Sequence, residues 1–248
     1  MNQFFNVICL ILGLFYTAFC TVAATALFLI HDPWGHWVQR CWGRGCLALM
    51  AIRVQWEHLE DLNGRGAFIF APNHESAVDI LVLATLPYNF KWIAKDEIRR
   101  MPFIGWATRA MGCFFVQRNR SDQDLNVMSQ VEDGLKAGQS SLFFPEGTRT
   151  RTGELLPFKK GAFRTAQNTG VPLVPVGIRG TFAIVPPDSI PRKRNHEVSV
   201  RIGVPLYVKP GDDLNEVMNR FKSELLLLRK PLEPRHLPIM QLPASPIK

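Results

Sequence analysis

The first 30 residues contain no Asp, Glu, Lys or Arg, so every one of the chain's 29 basic and 21 acidic residues lies in the remaining 218. Cysteine is scarce and odd in number: Cys9, Cys20, Cys41, Cys46 and Cys113, with no Cys-x-x-Cys. That excludes a disulfide framework and a cysteine zinc site and leaves reduced thiols. Gly-x-Ser-x-Gly is missing, which removes the strained elbow of a serine nucleophile, and so is a phosphate-binding P-loop. The zinc motif His-Glu-x-x-His begins at His74-Glu75 but fails at Val78. Gly43-Arg44-Gly45-Cys46-Leu47-Ala48 imitates a dinucleotide fingerprint, yet it follows a Trp-rich stretch rather than a strand. No metal and no cofactor is therefore expected. With 47% hydrophobic and 20% charged residues, and only 18 Gly and 18 Pro in 248 residues, the chain is not disordered or collagenous.

What is present is divided. Of the first 30 residues 23 are hydrophobic, and from Phe4 to Ile30 the polar side chains are Asn6, Thr17, Thr21 and Thr25, with Tyr16 amphipathic. A helix of that length reaches about 40 Å, enough for a hydrocarbon core of about 30 Å when tilted. Ala24-Thr25-Ala26 resembles a signal-peptide cleavage site, but no basic residue precedes the apolar run and it continues through Leu27-Phe28-Leu29-Ile30. An anchor is the expectation. Trp34, Trp37 and Trp42 suit a membrane boundary, and Arg40, Arg44 and Arg53 follow the run while none precedes it, which places the following domain on the cytoplasmic side. Cys46 to Ile52 is apolar but too short to span; it would lie in the interface or fold back, so one span and a two-helix hairpin both remain open.

Beyond the anchor, short apolar runs alternate with helical patterns. Strands are expected at Ala67–Ala71, Lys91–Ala94, Cys113–Val116, Ser141–Phe144, Leu173–Ile178 and Glu197–Ile202. Pro175 suggests that its strand is an edge or ends there. Helices are expected at Ser76–Leu86, Pro102–Met111, from a cap at Ser121 to Leu135, at Ala162–Asn168 and at Leu214–Leu225. The alternation predicts an α/β layered domain, a mixed central sheet flanked by helices and preceded by a membrane-embedded helical segment. The divisions fall at 1–57 for the anchor, 58–230 for the α/β domain and 231–248 for a tail with five prolines.

Polar residues at strand ends are where such sheets place chemistry. Asn73-His74-Glu75-Ser76-Ala77-Val78-Asp79 follows one strand. A carboxylate just over a turn beyond a loop histidine can accept one ring N–H, fix the tautomer and leave the other nitrogen as a general base. As an isolated spacing, two unrelated surface residues account for it better. Phe144-Pro145-Glu146-Gly147-Thr148-Arg149 follows another strand: Gly147 permits a close turn, Thr148 offers a hydroxyl, Arg149 a bidentate fork for phosphate, and Glu146 a carboxylate for a hydroxyl or guanidinium. A solvated basic turn is the alternative. Gly112-Cys113-Phe114-Phe115-Val116-Gln117-Arg118 is a strand delivering an arginine at its exit, or simply a core strand.

Taken in order, these blocks resemble the glycerolipid acyltransferase family. Its Asn-His-x4-Asp is similar to Asn73, His74 and Asp79; its Gly-x-x-Phe-Ile-x-Arg to Gly112, Phe115, Val116 and Arg118; its Phe-Pro-Glu-Gly-Thr-Arg-Ser to Phe144 through Thr150; its Val-Pro-Val to Val174–Val176; its Leu-Pro-Phe-Lys to Leu156–Lys159. Val116 for Ile and Thr150 for Ser are conservative departures. The resemblance spans roughly residues 60–180. It implies that His74, oriented by Asp79, takes the proton of a glycerol hydroxyl, which attacks an acyl thioester of coenzyme A or acyl carrier protein. It implies that Arg118, Glu146, Gly147, Thr148, Arg149 and Lys159 hold the acceptor's phosphate and glycerol. The expected product is phosphatidic acid from 1-acyl-sn-glycerol-3-phosphate; another lysolipid such as lyso-ornithine lipid, or a non-catalytic lipid-binding membrane module, are the alternatives.

The net charge of +8 fits such partners. Lys91 to Arg120 carries seven basic and two acidic residues, interleaved with Trp92, Met101, Phe103, Ile104 and Trp106. Cations beside apolar groups suit an anionic bilayer, here the bacterial inner membrane; the apolar residues would serve equally as core. Membrane lipids, a lysophospholipid acceptor and the thioester carrier are the expected partners. Nucleic acid is not, since no nucleic-acid motif accompanies the charge.

Overall fold

A computed structural model describes residues 2–59, 62, 66–117, 122–186 and 196–231. Two helices come first, α1 (Asn2–Ile30) and α2 (Asp32–Leu49). The chain breaks at His31, with Pro in the first turn of α2, and α2 returns antiparallel along α1. Glycines make the close approach possible: a Cβ on Gly35 would stand 2.3 Å from the Phe28 ring, and one on Gly45 2.4 Å from the Tyr16 ring. Tyr16 Oη donates to the Cys41 carbonyl (2.8 Å) and Trp42 Nε1 to Thr17 Oγ1 (3.1 Å). A Cβ on Gly43 would meet the Leu81 carbonyl at 2.7 Å. The glycines that imitate a dinucleotide loop are thus helix-packing contacts.

The rest alternates strand and helix: β1 (Ile52–Leu59), β2 (Ile69–Pro72), α3 (Val78–Leu83), β3 (Lys91–Lys95), α4 (Asp96–Arg99), α5 (Ile104–Ala110), β4 (Phe114–Val116) and α6 (Asp122–Lys136). Then follow β5 (Ser141–Leu142), α7 (Gly161–Thr169), β6 (Leu173–Arg179), α8 (Thr181–Ile184), β7 (His196–Ile202) and α9 (Leu214–Leu228). Local chemistry explains the boundaries. Asp213 caps α9, its side chain accepting the Asn215 N–H at 2.9 Å, and Val217, Phe221 and Leu225 bury one stripe. Gly170, at φ 70°, closes α7 in the left-handed conformation.

The seven strands run in the order β1-β7-β6-β2-β5-β3-β4, all neighbours parallel except β6 and β7. The sheet is mixed and helix-flanked, as the sequence implies. Along β2 the side chains alternate. Phe70 joins a core with Phe28, Val82 and Leu83, on the side of α1, α2 and α3; Ile69 and Ala71 join Val131, Phe163 and Phe221, from α6, α7 and α9. The hairpin is therefore part of the main core on one face: Cys20, Ala24 and Phe28 of α1 are buried in it.

Two features depart from the sequence reading. β6 is central rather than an edge. Pairing to β7 begins only at Val176, and Gly203 N–H donates to the Pro175 carbonyl at 2.9 Å. The missing proline N–H thus falls where β7 leaves the ladder. The division at residue 57 falls inside β1, whose Ile52, Val54 and Trp56 alternate with Arg53, Gln55 and Glu57. Arg201 Nε reaches Glu57 from β7 at 2.7 Å. Cys20, Cys41, Cys46 and Cys113 are free thiols, and burial pushes Cys113 up to about 12. Ser121, Arg120 and the tail from 232 lie outside the described residues.

Candidate active site

Because β2 and β5 are parallel neighbours, their C-terminal ends open on the same edge of the sheet. There β2 hands over to the 73–76 loop and β5 to the 143–150 loop. Asn73, fully buried, is the hinge of the first: its Nδ2 donates to the Ile178 carbonyl (2.9 Å) and its Oδ1 accepts the Ile178 N–H (2.7 Å). One side chain thereby replaces a rung between β2 and β6 and turns the chain outward.

His74 and Asp79 are brought together. His74 Nδ1 lies 2.8 Å from Asp79 Oδ2. The same oxygen accepts the N–H of Glu75 (2.7 Å) and of Ser76 (2.8 Å). Asp79 is fully buried in the first turn of α3. A carboxylate accepting two backbone N–H groups is fixed as an acceptor, so the ring N–H points to it and Nε2 presents its lone pair outward. The ring is stacked on Phe144, centroids 3.8 Å apart and planes 18° from parallel. Its side chain remains 14% exposed, so the far nitrogen faces the opening rather than the core.

Glu146 ties the two loops together. It is buried; Oε1 accepts the His74 N–H and Oε2 the Leu156 N–H, both at 2.8 Å. Burial pushes its carboxyl above the usual range, against the two backbone bonds that favour the charged form. It braces the histidine loop against the 150–159 segment. The Thr150 N–H donates to the His74 carbonyl (2.9 Å), tying the loops a second time. Gly147 turns at φ 70°, and a Cβ there would meet Lys159 Cε at 2.9 Å, so Lys159 lies over the turn. Thr148 is exposed and Arg149 half-buried beside it. Among the described residues, the side chains of Thr148, Arg149 and Lys159 make no hydrogen bond or ion pair, which leaves their donors available to a ligand. Arg118 lies outside the described residues.

The arrangement brings together a histidine paired to a buried carboxylate, an aromatic ring stacked on it, and the donors of Thr148, Arg149 and Lys159 on the neighbouring loop. The acyltransferase family model matches residues 53–179, just over half of the 248 residues. The chain belongs to the acyltransferase family. Within that family it is 37% identical over 161 residues to the chloroplastic 1-acyl-sn-glycerol-3-phosphate acyltransferase BAT2 of Brassica napus, covering 64% of this chain and 47% of that one. It is 31% identical over 229 residues to chloroplastic LPAT1 of Arabidopsis thaliana, 86% and 64% of the respective chains. The chain thus spans about half to two thirds of the length of these curated relatives. The fold matches the crystal structure of the 1-acyl-sn-glycerophosphate acyltransferase PlsC from Thermotoga maritima with a TM-score of 0.73 at 23% identity, over 92% of this chain and 99% of that one.

Sequence reasoning left several residues of this acyltransferase site without a role. Asn73 and Phe144 stand inside the motifs; a buried amide ending an all-apolar strand and an aromatic after the next were the available signals. Glu75, buried, and Arg229, partly buried, form an ion pair over 154 positions, for which no local signal exists.

Proposed function

We propose that this chain transfers an acyl group from a thioester of coenzyme A or acyl carrier protein to the free hydroxyl of 1-acyl-sn-glycerol-3-phosphate, forming phosphatidic acid. The observation that carries the reading is the 2.8 Å contact between His74 Nδ1 and a buried, backbone-anchored Asp79. With that nitrogen committed, Nε2 takes the proton of the acceptor hydroxyl as its oxygen attacks the thioester carbonyl. The tetrahedral intermediate collapses with cleavage of the C–S bond, and the imidazolium returns the proton to the departing sulfur. The products are an oxygen ester and a free thiol. A thioester is activated enough that neither an enzyme nucleophile nor a metal enters the balance. Asp79 offsets the charge that forms on the ring. Arg149, Lys159 and Thr148 supply donors for the phosphate and glycerol, the guanidinium in two-pronged fashion; Arg118 completes that set on the family resemblance.

The same reading places the protein on a membrane. Ile11–Ile30 is long and apolar enough to cross one; a single stripe of it, Cys20, Ala24 and Phe28, packs in the domain core, while Leu14, Phe15, Phe19, Val22, Leu29 and Ile30 stay exposed. Because α2 folds back along α1 and that stripe is buried, a hairpin entering one leaflet fits better than an isolated span. Next to α1 lies α5, where Met101, Phe103 and Trp106 are exposed; Met101 and Trp106 line a cavity of about 430 Å³ with Asp96, Arg99, Arg100 and Arg109. Apolar tips among arginines suit an anionic lipid surface, here the cytoplasmic face of the bacterial inner membrane.

The test is an acceptor panel with one labelled acyl thioester. Turnover with 1-acyl-sn-glycerol-3-phosphate above lyso-ornithine lipid and zwitterionic lysophospholipids is expected. Preference for an acceptor without a phosphate monoester would overturn the acceptor assignment, and no turnover with any donor would leave a lipid-binding module.

A further inference from the structure

We propose that Arg229, at the end of α9 and remote in sequence from every motif, is a positioning residue of the transfer reaction; this rests on the acyltransfer reading above. Three buried carboxylates surround the histidine loop: Asp79, Glu75 and Glu146. Asp79 and Glu146 are held by backbone N–H groups. Glu75 turns the other way, and Arg229 Nη2 donates to its Oε1, with Thr181 Oγ1 at 3.5 Å from Oε2. Burial pushes the Glu75 carboxyl up, and Arg229 opposes that rise.

The same Nη2 donates to the Gly153 carbonyl at 2.6 Å. Gly153 belongs to the segment whose Leu156 N–H holds Glu146 and whose Lys159 N–H donates to the Pro145 carbonyl at 2.8 Å. One guanidinium therefore ties the residue after His74 to the segment that braces His74 and carries Lys159. Its own aim is fixed by the sheet. A Cβ on Gly177 would stand 2.5 Å from Leu228 Cβ, and one on Gly203 2.9 Å from Leu228 Cδ1. Those two glycines seat the last turn of α9 directly on β6 and the end of β7, and Arg229 follows Leu228. Removing the cation strands a buried carboxylate one residue from the base, and the loop must move to rehydrate or protonate it.

Full-length protein in mixed micelles tests this, with kcat and KM measured for both substrates and folding checked by thermal melting. Arg229→Met is expected to lower kcat about 10²-fold, the scale of a 1 Å misplacement of catalytic groups, while KM for either substrate stays within about 2-fold. Arg229→Lys keeps the charge but not the rigid planar head that reaches both acceptors, and falls about 10-fold. Glu75→Gln introduced into Arg229→Met is expected to recover between about 2- and 100-fold, because an amide needs no counter-ion. Wild-type kcat in folded Arg229→Met, a rise in KM at unchanged kcat, or no recovery in the double variant would each overturn the inference. If Arg229→Met does not fold, Arg229→Lys decides: wild-type kcat there overturns it. Absence of turnover in the unmodified chain fails the acyltransfer reading; turnover indifferent to Arg229 fails this inference alone.

Discussion

Asp79 Oδ2 accepts three donors at once: His74 Nδ1 at 2.8 Å, Glu75 N–H at 2.7 Å and Ser76 N–H at 2.8 Å. The two backbone bonds orient the carboxylate independently of the ring, so the histidine meets a preset acceptor rather than a flexible partner. That single atom links the end of β2 to the start of α3 and chooses the tautomer.

Two substitutions separate those functions. His74→Ala removes the base and should lower kcat by about 10²–10⁴-fold, the usual worth of general base catalysis, with the fold and vesicle binding kept. Asp79→Asn keeps the shape, but its NH2 either takes the place of Oδ2 and meets three donors, or takes the place of Oδ1, where it finds no acceptor, and the charge that offsets the imidazolium is lost in both. It should fall in the same range, with a loss of stability of about 1–3 kcal/mol from unpaired N–H groups. Near-normal kcat in His74→Ala, measured with labelled thioester, would refute the mechanism.

Glu146 gives a pH-dependent stability. Burial raises its carboxyl above the ordinary value near 4.3. A raised carboxyl stabilises the fold fully below the unfolded value and loses that contribution as pH rises through the folded one. Glu146→Gln keeps one acceptor for the two N–H groups of His74 and Leu156, so it should be less stable by about 1–3 kcal/mol in acid. The gap to the parent should then narrow as pH rises from about 4.3 upward. Melting temperatures of the two proteins across that range check it, and a widening gap would contradict the direction.

How much of this could be read without coordinates depends on range. The β2, β3 and β4 patterns were legible as short apolar runs between breaks, β2 being buried on both faces, and α6 and α9 because each buries one stripe with a period of 3.6. His74, Asp79 and Arg149 were legible as motif members. Four things were not. The role of Glu146 depends on which N–H groups reach it from residues 74 and 156, set by strand order. Arg229 acts across 154 positions. Pro175 read as an edge because the gap in β7 pairing is invisible locally. Gly43 and Gly45 read as a broken nucleotide loop because a packing glycine and a phosphate glycine look alike in sequence.

The arginines near α5 should report on the bilayer. Among the described residues Arg100 pairs with Asp96 alone, at 3.6 Å, and Arg109 Nε is held by the Gly105 carbonyl; both side chains are exposed. Each basic group near an anionic surface contributes about 1 kcal/mol. Changing Arg99, Arg100 and Arg109 together to Gln should lower partitioning onto anionic vesicles about 10²-fold and leave zwitterionic vesicles unaffected. Flotation at low salt measures both; equal losses on the two would mean a structural defect.

The helical hairpin offers a paired test of close packing. A Cβ on Gly45 would lie 2.4 Å from the Tyr16 ring, and that ring cannot swing away freely because its hydroxyl is committed to the Cys41 carbonyl. Gly45→Ala should therefore cost about 1–3 kcal/mol through overpacking, outweighing the helix propensity that alanine brings. Gly13 stands in α1 with nothing within 4 Å of a built Cβ. There Gly13→Ala meets no neighbour and should gain about 0.5–1 kcal/mol from propensity alone. Thermal melting in one detergent separates the two: opposite signs support a hairpin held by glycine contacts, whereas a stabilised Gly45→Ala would mean that α1 and α2 are not in contact at Tyr16.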